Sequence, residues 1–326
     1  MKELERTPPK EGASVHSDPL NERCILLSPG SRLPLIVNPA AGRGRGAKIA
    51  SMLEQAGREI GLVPEILFTT GPGNGQAIAA DLAARGEPVV GVAGGDGLVR
   101  EAVAALVETG TALAVLPSGT GNDLARHLGL PLNPLAALRC LPGSTTLAID
   151  TGLANGHPFV VAAGAGFDAA VAAEVNRGIR WARGSAAYAI GLVRTLIRYR
   201  PTRLHVKVDE TEQEFEGYFA VASNVRTYGG GMLIAPQASV EDGMVDVCCV
   251  RSLSRVRFLL AASTVYRGRH IGNPAVTMLR GRSVSIDSDP PVPVNIDGDV
   301  KGVTPLNISV LKGSLRVLVP PIAGAR

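Results

Sequence analysis

The sequence contains few aromatic residues: Phe, Trp and Tyr together make up 4% of its 326 residues. Proteins that bind single-stranded nucleic acid rely on aromatic rings on which the bases stack. The net charge of +4 is also too small to argue for a nucleic-acid partner by itself. We therefore expect no nucleic acid among the partners of this chain.

Cysteine is scarce as well, and hydrophobic runs are short. The four cysteines (Cys24, Cys140, Cys248 and Cys249) show no CxxC spacing, which argues against a zinc site and favours free thiols in a reducing compartment. No uninterrupted apolar run reaches the ~18 residues of a membrane-spanning helix. The first residues also lack the apolar core of a signal peptide. These absences predict a cytoplasmic protein that contacts membranes only at their surface.

Two familiar phosphate-binding motifs are missing. The GRGRG run at residues 42–46 is not followed by Gly-Lys-Ser/Thr, so it is not a Walker loop. It also does not match GxGxxG, the dinucleotide fingerprint. Its backbone could still form a nest for phosphate, with arginine side chains adding positive charge.

The hydrophobic pattern predicts two domains of different architecture. Strands alternate with helices up to about residue 150, which indicates a parallel, doubly wound α/β sheet. From about Thr151 the apolar segments are short and β-like, and two helices interrupt them, Ser185–Arg198 and Arg255–Tyr266. We predict a disordered tail at 1–30, a nucleotide-binding domain at 31–150, optionally joined by 313–326, and a mostly antiparallel β domain at 151–312.

The stretch PVVGVAGGDGLVRE, residues 88–101, forms the centre of the first domain. A buried strand ends in the Gly94-Gly95 pair, and helical spacing begins after Asp96-Gly97. Glycines let the backbone approach a ligand closely, and a helix N-terminus favours an anion such as phosphate. An acidic Asp96 makes sense there if it acts through a cation such as Mg²⁺. The alternative is a plain strand–turn–helix corner.

A second acidic loop, PSGTGNDLAR at 117–126, follows the next predicted strand. Asn122 could simply cap the following helix, with Asp123 in its first turn. Loops after neighbouring parallel strands meet at one edge of the sheet, where ligands bind. Asp96 and Asp123 could therefore share a metal site at this edge.

Taken together, these motifs resemble the diacylglycerol kinase catalytic-domain family in its bacterial lipid kinase branch. The resemblance covers residues 33 to 319. GGDG alone also occurs in NAD kinases and phosphofructokinases, whereas the joint order of the later motifs is more specific. The matching stretches are Asn38-Pro39 with Gly42, GGDG at 94–97 with Glu101, PSGTGNDLAR at 117–126, GFD at 166–168, YGGGM at 228–232, DGMVDV at 242–247 and IDGD at 296–299.

The resemblance implies an ATP- and Mg²⁺-dependent kinase that phosphorylates a lipid hydroxyl, with diacylglycerol favoured. Asp96 and Asp123 would organise catalytic Mg²⁺ through water. Asp297 would take the proton from the hydroxyl, and Asp299, where relatives usually have Glu, is the rival base. A structural Mg²⁺ would bind Asp242 and carbonyls of Ser239 and Met244. The implied nucleotide-binding residues are Asn38, Gly42, Thr70, Gly94, Gly95, Asp96, Gly97, Glu101, Thr120 and Asn122.

One departure from the family concerns Leu98, where many bacterial members have Thr after GGDG. Sphingosine and ceramide kinases are similar to this sequence at that position. The alternatives therefore stay open: a sphingoid-base kinase, an NAD kinase-like enzyme, or a catalytically silent regulator that binds nucleotide or lipid. Homodimerisation is left open too.

The stretch from Arg177 to Arg203 contains seven arginines and no acidic residue. Arg194 and Arg198 lie one turn apart on its helix, beside a stripe of Ile190, Val193 and Ile197. One interpretation is a solvated basic face over a core-facing stripe. The other is attraction to anionic phospholipid, worth ~1 kcal/mol per basic residue near the surface.

Overall fold

A computed structural model describes residues 27–40, 44–176 and 185–320 of the chain. Among these residues, fifteen strands form one connected sheet. The first half contains β1 (Arg32–Val37), α1 (Gly46–Glu59), β2 (Val63–Phe68), α2 (Asn74–Ala84), β3 (Val89–Gly94), α3 (Asp96–Leu106), β4 (Ala112–Pro117), α4 (Asp123–His127) and α5 (Pro134–Cys140).

The first four strands are parallel and lie in the order β4–β3–β1–β2. All six residues of β3 and all six of β4 are buried, as expected for strands covered by helices on both faces. The chain moves from β1 to β2 on one side and returns to β3 on the other. The switch in direction therefore falls between β1 and β3, where doubly wound sheets bind their ligands.

The second half is mainly antiparallel, and three helices interrupt its strands. It contains β5 (Thr145–Ala154), β6 (His157–Phe159), β7 (Ala162–Gly166), α6 (Phe167–Asn176), α7 (Ser185–Arg198), β8 (Thr202–Val208), β9 (Thr211–Ser223), β10 (Val245–Arg251), α8 (Arg255–Thr264), 3-10 turns at Val265–Arg267 and Arg269–Gly272, β11 (Val276–Gly281), β12 (Ser283–Asp289), β13 (Pro293–Ile296), β14 (Asp299–Val303) and β15 (Leu306–Val319).

The last strand joins the two halves of the sheet. Arg316 and Val317 of β15 pair in parallel with β4, and the same strand pairs antiparallel with β5 and β12. The C-terminal part of β15 thus extends the parallel sheet, while its first part belongs to the antiparallel region. The domain boundary near residue 150 stays a prediction, as does the assignment of residues 313–326.

The predicted fold class, a doubly wound α/β half followed by a mostly antiparallel half, is confirmed. Some details differ from the sequence-based expectation. The predicted helix Arg255–Tyr266 ends at Thr264 and continues as a 3-10 turn. On α7, Val193 and Ile197 are exposed while Leu196 is buried, so the predicted core stripe is wrong. The predicted tail lies outside the described residues as far as residue 26. No helix among the described residues is long and apolar enough to cross a membrane.

A buried carboxylate, Asp150 of β5, ties three distant segments together. Its Oδ1 accepts the N–H of Gly313 at 2.7 Å, and its Oδ2 accepts the N–H of Gly243. The carbonyl oxygen of Asp150 accepts Asn224 Nδ2 at 2.9 Å. Asp150 is 1% exposed, so these donors replace all the water that its charge would otherwise bind.

We expect Asp150→Asn to lower the free energy of unfolding by about 2–3 kcal/mol, because the new amide group faces a backbone N–H that has lost its acceptor. Urea denaturation of the wild type and the variant measures this. Asp81→Asn is the matched control, because Asp81 is exposed and makes only a surface ion pair with Arg85. Equal losses in the two variants would contradict the role given to Asp150.

Candidate active site

The loops that follow β3 and β4 approach each other backbone to backbone. Gly95 has extended dihedral angles (φ −92°, ψ −177°) and precedes α3. A Cβ atom on Gly119 would lie 2.5 Å from the Cα of Gly95, so no side chain fits there. Gly95 and Gly119 are therefore required by this contact between the loops, and ligand binding is not needed to explain these two glycines.

Asp96, the first residue of α3, holds the second loop in place. Its Oδ2 accepts the N–H of Asn122 at 2.7 Å, and its Oδ1 accepts the N–H of Asp123 at 2.8 Å. A Cβ atom on Gly121 would lie 2.5 Å from Asp96 Oδ2. The carboxylate of Asp96 thus lies against the backbone of residues 121–123, at the edge where the parallel strands end.

Asp123 continues this chain of contacts into the second half of the protein. Its two oxygens accept the N–H groups of Gly230 at 2.9 Å and Gly231 at 3.0 Å, both of which have positive φ. Burial raises the pKa of Asp123, and the nearby charge of Asp96 raises it further, whereas the two N–H donors lower it. A cation between Asp96 and Asp123 would offset their repulsion.

The residues predicted to bind nucleotide lie mainly along this edge. Asn38 follows β1, and its Oδ1 accepts the N–H of Ala40 at 2.9 Å. Thr70 follows β2, and its N–H donates to Asn74 Oδ1 at 3.0 Å. Thr120 is exposed at the cleft, as is Gly97 on α3. Gly94 is buried at the end of β3. Gly42 lies outside the described residues.

Two members of the predicted nucleotide set instead hold loops. Glu101 accepts the N–H of Gly73 at 2.8 Å and of Gly75 at 2.9 Å, and so fixes the turn before α2. Asn122 has φ 53° and makes no capping bond to α4. Its side chain exchanges two hydrogen bonds with the backbone of Gly119, at 3.0 and 3.1 Å. The interpretation of Asn122 as a helix cap is therefore wrong.

Asp297, the predicted base, is an anchored carboxylate in a left-handed backbone conformation (φ 45°). Its oxygens accept the N–H groups of Val160, Val161 and Ala162, each at 2.9 Å. Burial raises its pKa to about 6, against these N–H donors and the charge of Arg100. A carboxyl group with such a pKa is ionised at neutral pH and basic enough to accept a proton.

The rival base, Asp299, lies next to this turn but is engaged in ion pairs. Its oxygens lie 2.8 Å from Arg100 and 3.9 Å from Lys301. Arg100 of α3 also donates to the carbonyl oxygen of Asp297 at 3.3 Å and so ties the IDGD turn to the first half of the protein. The sequence did not single out Arg100, although it stands within the GGDGLVRE stretch.

A cleft of about 640 Å³ opens between these groups. Asp96, Thr120, Asp123 and Asp297 line one part of it, and apolar side chains from α7 and α8 line the rest. A narrow apolar cavity of about 90 Å³ adjoins it under α8. The cleft and the cavity share four lining residues: Leu192, Tyr228, Met232 and Ala262.

A polar cluster lies at the junction of the cleft and the cavity. Tyr228 Oη donates to Asp168 Oδ2 at 3.3 Å and accepts Asn295 Nδ2 at 3.1 Å. Within the described residues, Asp168 Oδ1 and Asn295 Oδ1 are buried and accept no hydrogen bond. Burial raises the pKa of Asp168 to about 6. The sequence assigned no role to these residues. The available signal was an acid in GFD, directly after a strand of small apolar residues.

At the loop predicted to hold a structural metal, the side chain of Arg280 already supplies a positive charge. Asp242 Oδ1 accepts the N–H of Met244 at 2.9 Å, and Oδ2 pairs with Arg280. Arg280 also lies 3.9 Å from Asp246. No group of three or more metal-ligating side chains occurs in the described part of the chain. Mg²⁺ requires six oxygen ligands in an octahedron. Arg280 occupies one oxygen of Asp242, and a structural Mg²⁺ at Ser239, Asp242 and Met244 stays a prediction.

We expect Arg280→Ala to lower the melting temperature by several degrees, because Asp242 and Asp246 would lose their cation and repel each other. A chelator should leave the melting temperature of the wild type unchanged. Thermal unfolding with and without chelator tests both statements, and Arg139→Ala, an exposed arginine on α5, serves as control. A drop on chelation would instead favour the predicted structural Mg²⁺.

Asp96 and Asp123 fit a cation held through water better than a directly bound one. Each carboxylate oxygen accepts one backbone N–H and keeps a further lone pair. Both side chains line the cleft. Two carboxylates that repel each other at an open cleft are a suitable outer shell for hydrated Mg²⁺, which keeps several of its waters.

Comparison with known proteins places the chain in a family. Residues 32–154 match the diacylglycerol kinase catalytic domain, and residues 161–319 match the YegS C-terminal NAD kinase beta sandwich-like domain. A crystal structure of a diacylglycerol kinase from Bacillus anthracis str. Sterne superimposes with a TM-score of 0.67 at 21% identity, over 89% of this chain and 97% of that one. This similarity shows the fold.

Sequence relatives are similar over nearly their whole length. A diacylglycerol kinase of Mycobacterium tuberculosis is 34% identical over 300 residues, which cover 89% of this chain and 95% of that protein. A Pseudomonas aeruginosa protein named "Probable lipid kinase YegS-like" is 32% identical, over 86% of this chain and 92% of its own length. The chain is accordingly an enzyme, a phosphotransferase with an alcohol group as acceptor. It belongs to the diacylglycerol kinase catalytic-domain family, in its bacterial lipid kinase branch.

Proposed function

We propose that this kinase transfers the γ-phosphoryl group of ATP, in a Mg²⁺-dependent reaction, to the hydroxyl group of diacylglycerol. One observation carries the proposal. The acidic, glycine-lined edge of the parallel sheet and an apolar cavity open into the same cleft, and a buried polar cluster lies where they meet. A lipid with an apolar body and one reactive hydroxyl group suits this combination.

The donor side of the cleft suits a nucleotide. Glycines follow β3 at the start of α3, where the helix dipole favours phosphate. Bound Mg²⁺ would neutralise the charge that develops on the transferred phosphoryl group. Asp96 and Asp123 would orient its waters, while the rigid loops they anchor position the phosphates.

The acceptor side suits an alcohol. The lipid hydroxyl oxygen would attack the γ-phosphorus, the bond to the bridging oxygen of ADP would break, and the hydroxyl proton would pass to the carboxylate of Asp297. Asp168 Oδ1 and Asn295 Oδ1 are buried acceptors that still need a donor. The only donor of diacylglycerol is its reacting hydroxyl group, so these two acceptors find no second donor on that lipid. Its acyl chains would lie along Val171 and Leu192.

Diacylglycerol is favoured over the alternatives because Leu98, the residue that differs from many bacterial members of the family, lies outside the cleft. Its side chain is 7% exposed and lies over Gly75 and Gly94, where added Cβ atoms would lie 2.4 and 2.7 Å from it. It does not line the cleft. A side chain that fills the space between α2 and β3 gives no reason to expect a sphingoid-base kinase or a silent regulator.

The proposed reaction is tested with radiolabelled ATP, Mg²⁺ and separate acceptors: diacylglycerol, sphingosine, ceramide and NAD. We expect label in phosphatidic acid alone. Label in a phosphorylated sphingoid base or in NADP would assign one of the alternative kinases. ATP binding without transfer to any acceptor would favour a nucleotide- or lipid-binding regulator.

The substrate of such an enzyme lies in a bilayer, so we also propose peripheral contact with anionic phospholipid through Arg194 and Arg198. Both side chains are exposed on α7, next to the exposed Val193 and Ile197. Their contribution would be electrostatic, about 1 kcal/mol per arginine at low salt.

We expect Asp297→Asn to lower turnover by about 10²- to 10⁴-fold, because the amide cannot accept the hydroxyl proton. Asp299→Asn should retain far more activity, since Asp299 is already paired with Arg100. Steady-state kinetics on detergent-dispersed lipid measures both variants. Melting temperature and ATP affinity are the controls, because an amide at 297 also meets three backbone N–H donors. Loss of turnover at Asp299 alone would move the base to that residue.

Asp168→Asn should make the protein more stable at pH 8 than the wild type. Its pKa in the folded state, about 6, lies above the ordinary aspartate value of 3.8. The folded state therefore binds more protons between these values, and wild-type stability falls as pH rises through this window. The full effect above pH 6 is at most about 3 kcal/mol.

Urea denaturation at pH 4 and pH 8 measures the difference between the two proteins. The stabilisation should appear at pH 8 and vanish near pH 4. Turnover should fall at pH 8, because the charged carboxylate of Asp168 is replaced by a neutral amide. A stability difference that is independent of pH would mean that the pKa of Asp168 is not raised.

A further inference from the structure

Helix α8 buries one side chain, Phe258, in the core. Phe258 is its only buried residue, and its ring contacts Phe167 and Tyr218 at centroid distances of 5.0 and 4.3 Å. On the outer face, Val256 and Leu260 lie one turn apart and are 69% and 64% exposed. A helix in contact with water normally carries polar residues on its outer face. The apolar outer face of α8 therefore indicates a partner.

The exposed apolar side chains are concentrated around this helix. Twelve large hydrophobic side chains are exposed in the described part of the chain, and seven of them lie between residues 193 and 271: Val193, Ile197, Val256, Leu259, Leu260, Tyr266 and Ile271. Arg255 Nε at the start of α8 donates to the carbonyl oxygen of Leu196 on α7 at 3.1 Å, so the two helices are neighbours. Their apolar residues thus belong to one region of the surface.

The chain around α8 carries one sign of charge. No Asp or Glu occurs from residue 247 to residue 286, and this stretch contains seven arginines: Arg251, Arg255, Arg257, Arg267, Arg269, Arg280 and Arg282. It is longer than the acid-free stretch that contains α7.

Three of these arginines line an open groove beside α8. Arg251, Arg257 and Arg269 surround a space of about 750 Å³, with Leu260 on its wall. Arg251 is positioned by Gln213 Oε1 at 3.2 Å and lies over the ring of Phe215. Arg257 and Arg269 are exposed and pair with no carboxylate in the described part of the chain. The groove thus offers guanidinium groups to an anion.

We propose that α8 docks on an anionic lipid bilayer. Val256 and Leu260 enter the boundary of the acyl chains, and Arg251, Arg257 and Arg269 bind lipid phosphates from the groove. Leu259, Ser263 and Tyr266 line the catalytic cleft on the opposite side of the helix. Docking therefore places the mouth of the cleft at the membrane. This last consequence rests on the proposed function, whereas the docking itself does not.

Charge selects the bilayer over a second copy of this chain. A two-fold symmetric dimer through this face would bring the arginines of the two copies together, and the segment from residue 247 to residue 286 supplies no carboxylate to pair them. An anionic bilayer offers phosphate groups beside an apolar interior. Apolar side chains flanked by arginines are the arrangement found in interfacial helices.

The test is co-sedimentation of the full chain with vesicles, in the absence of ATP and of any acceptor. Vesicles of phosphatidylcholine alone are compared with vesicles that contain phosphatidylserine. We expect Arg257→Gln/Arg269→Gln to bind the anionic vesicles at least tenfold more weakly at low salt, with a smaller difference at high salt. Val256→Gln/Leu260→Gln should weaken binding at least tenfold at both salt concentrations.

Matched controls remove the same groups elsewhere. Arg139→Gln/Lys207→Gln removes two exposed charges, one from the first half of the protein and one from β8. Met52→Gln/Val63→Gln removes two exposed apolar side chains from the first half. Both controls should bind vesicles as the wild type does. Because no turnover is measured, failure of the kinase proposal leaves this result unaffected.

Two outcomes would overturn the proposal. In the first, the α8 variants bind vesicles as strongly as their controls do. Weaker binding by Arg194→Gln/Arg198→Gln alone would be one such result. The other is a dimer, detected by sedimentation velocity, that the Val256→Gln/Leu260→Gln variant loses while vesicle binding is retained. That result would assign the face to a second copy of the chain.

Discussion

Carboxylates that accept backbone N–H groups determine how the cleft of this enzyme is built. Asp96 holds residues 122 and 123, and Asp123 in turn holds Gly230 and Gly231. Asp297 holds residues 160–162 from the other wall. Hydrogen bonds to a charged group contribute about 1.5–3 kcal/mol each, and an unpaired buried charge costs more. Among these contacts, those of Asp123 with Gly230 and Gly231 join the two halves of the protein at the cleft, whereas those of Asp96 and Asp297 each lie within one half.

This construction limits what the same carboxylates can do in the reaction. Each is already stabilised as an anion by two or three fixed donors, so it has less tendency to bind a metal ion directly. Burial acts in the opposite direction and raises the pKa of both Asp123 and Asp297. The balance leaves charged groups that are rigidly placed and only moderately basic, which suits the orientation of hydrated Mg²⁺ and the late removal of a proton in phosphoryl transfer.

The sequence predicts the features that depend on local pattern. Continuous apolar runs gave β3 and β4, and glycine-rich turns after strands gave the edge at which the site lies. The sequence pattern did not predict contacts between residues that lie far apart in the chain. Asp168 meets Asn295 across 127 positions, and Arg100 meets Asp297 across 197. The local pattern also left a helix cap open for Asn122, because nothing in the pattern shows that its side chain turns back to Gly119.

The net charge of +4 does not show that acidic and basic side chains are concentrated in different parts of the protein. Three acidic side chains line the cleft and accept hydrogen bonds from backbone N–H groups: Asp96, Asp123 and Asp297. Helices α7 and α8, on the far side of the cleft, come from two acid-free segments that carry arginine and exposed apolar residues. Whole-chain composition averages these regions, so it cannot distinguish an evenly charged surface from one with opposite faces. Under the proposed membrane contact, the α7–α8 side would attract the anionic bilayer, and only the part of the lipid that enters the cleft would meet Asp96, Asp123 and Asp297.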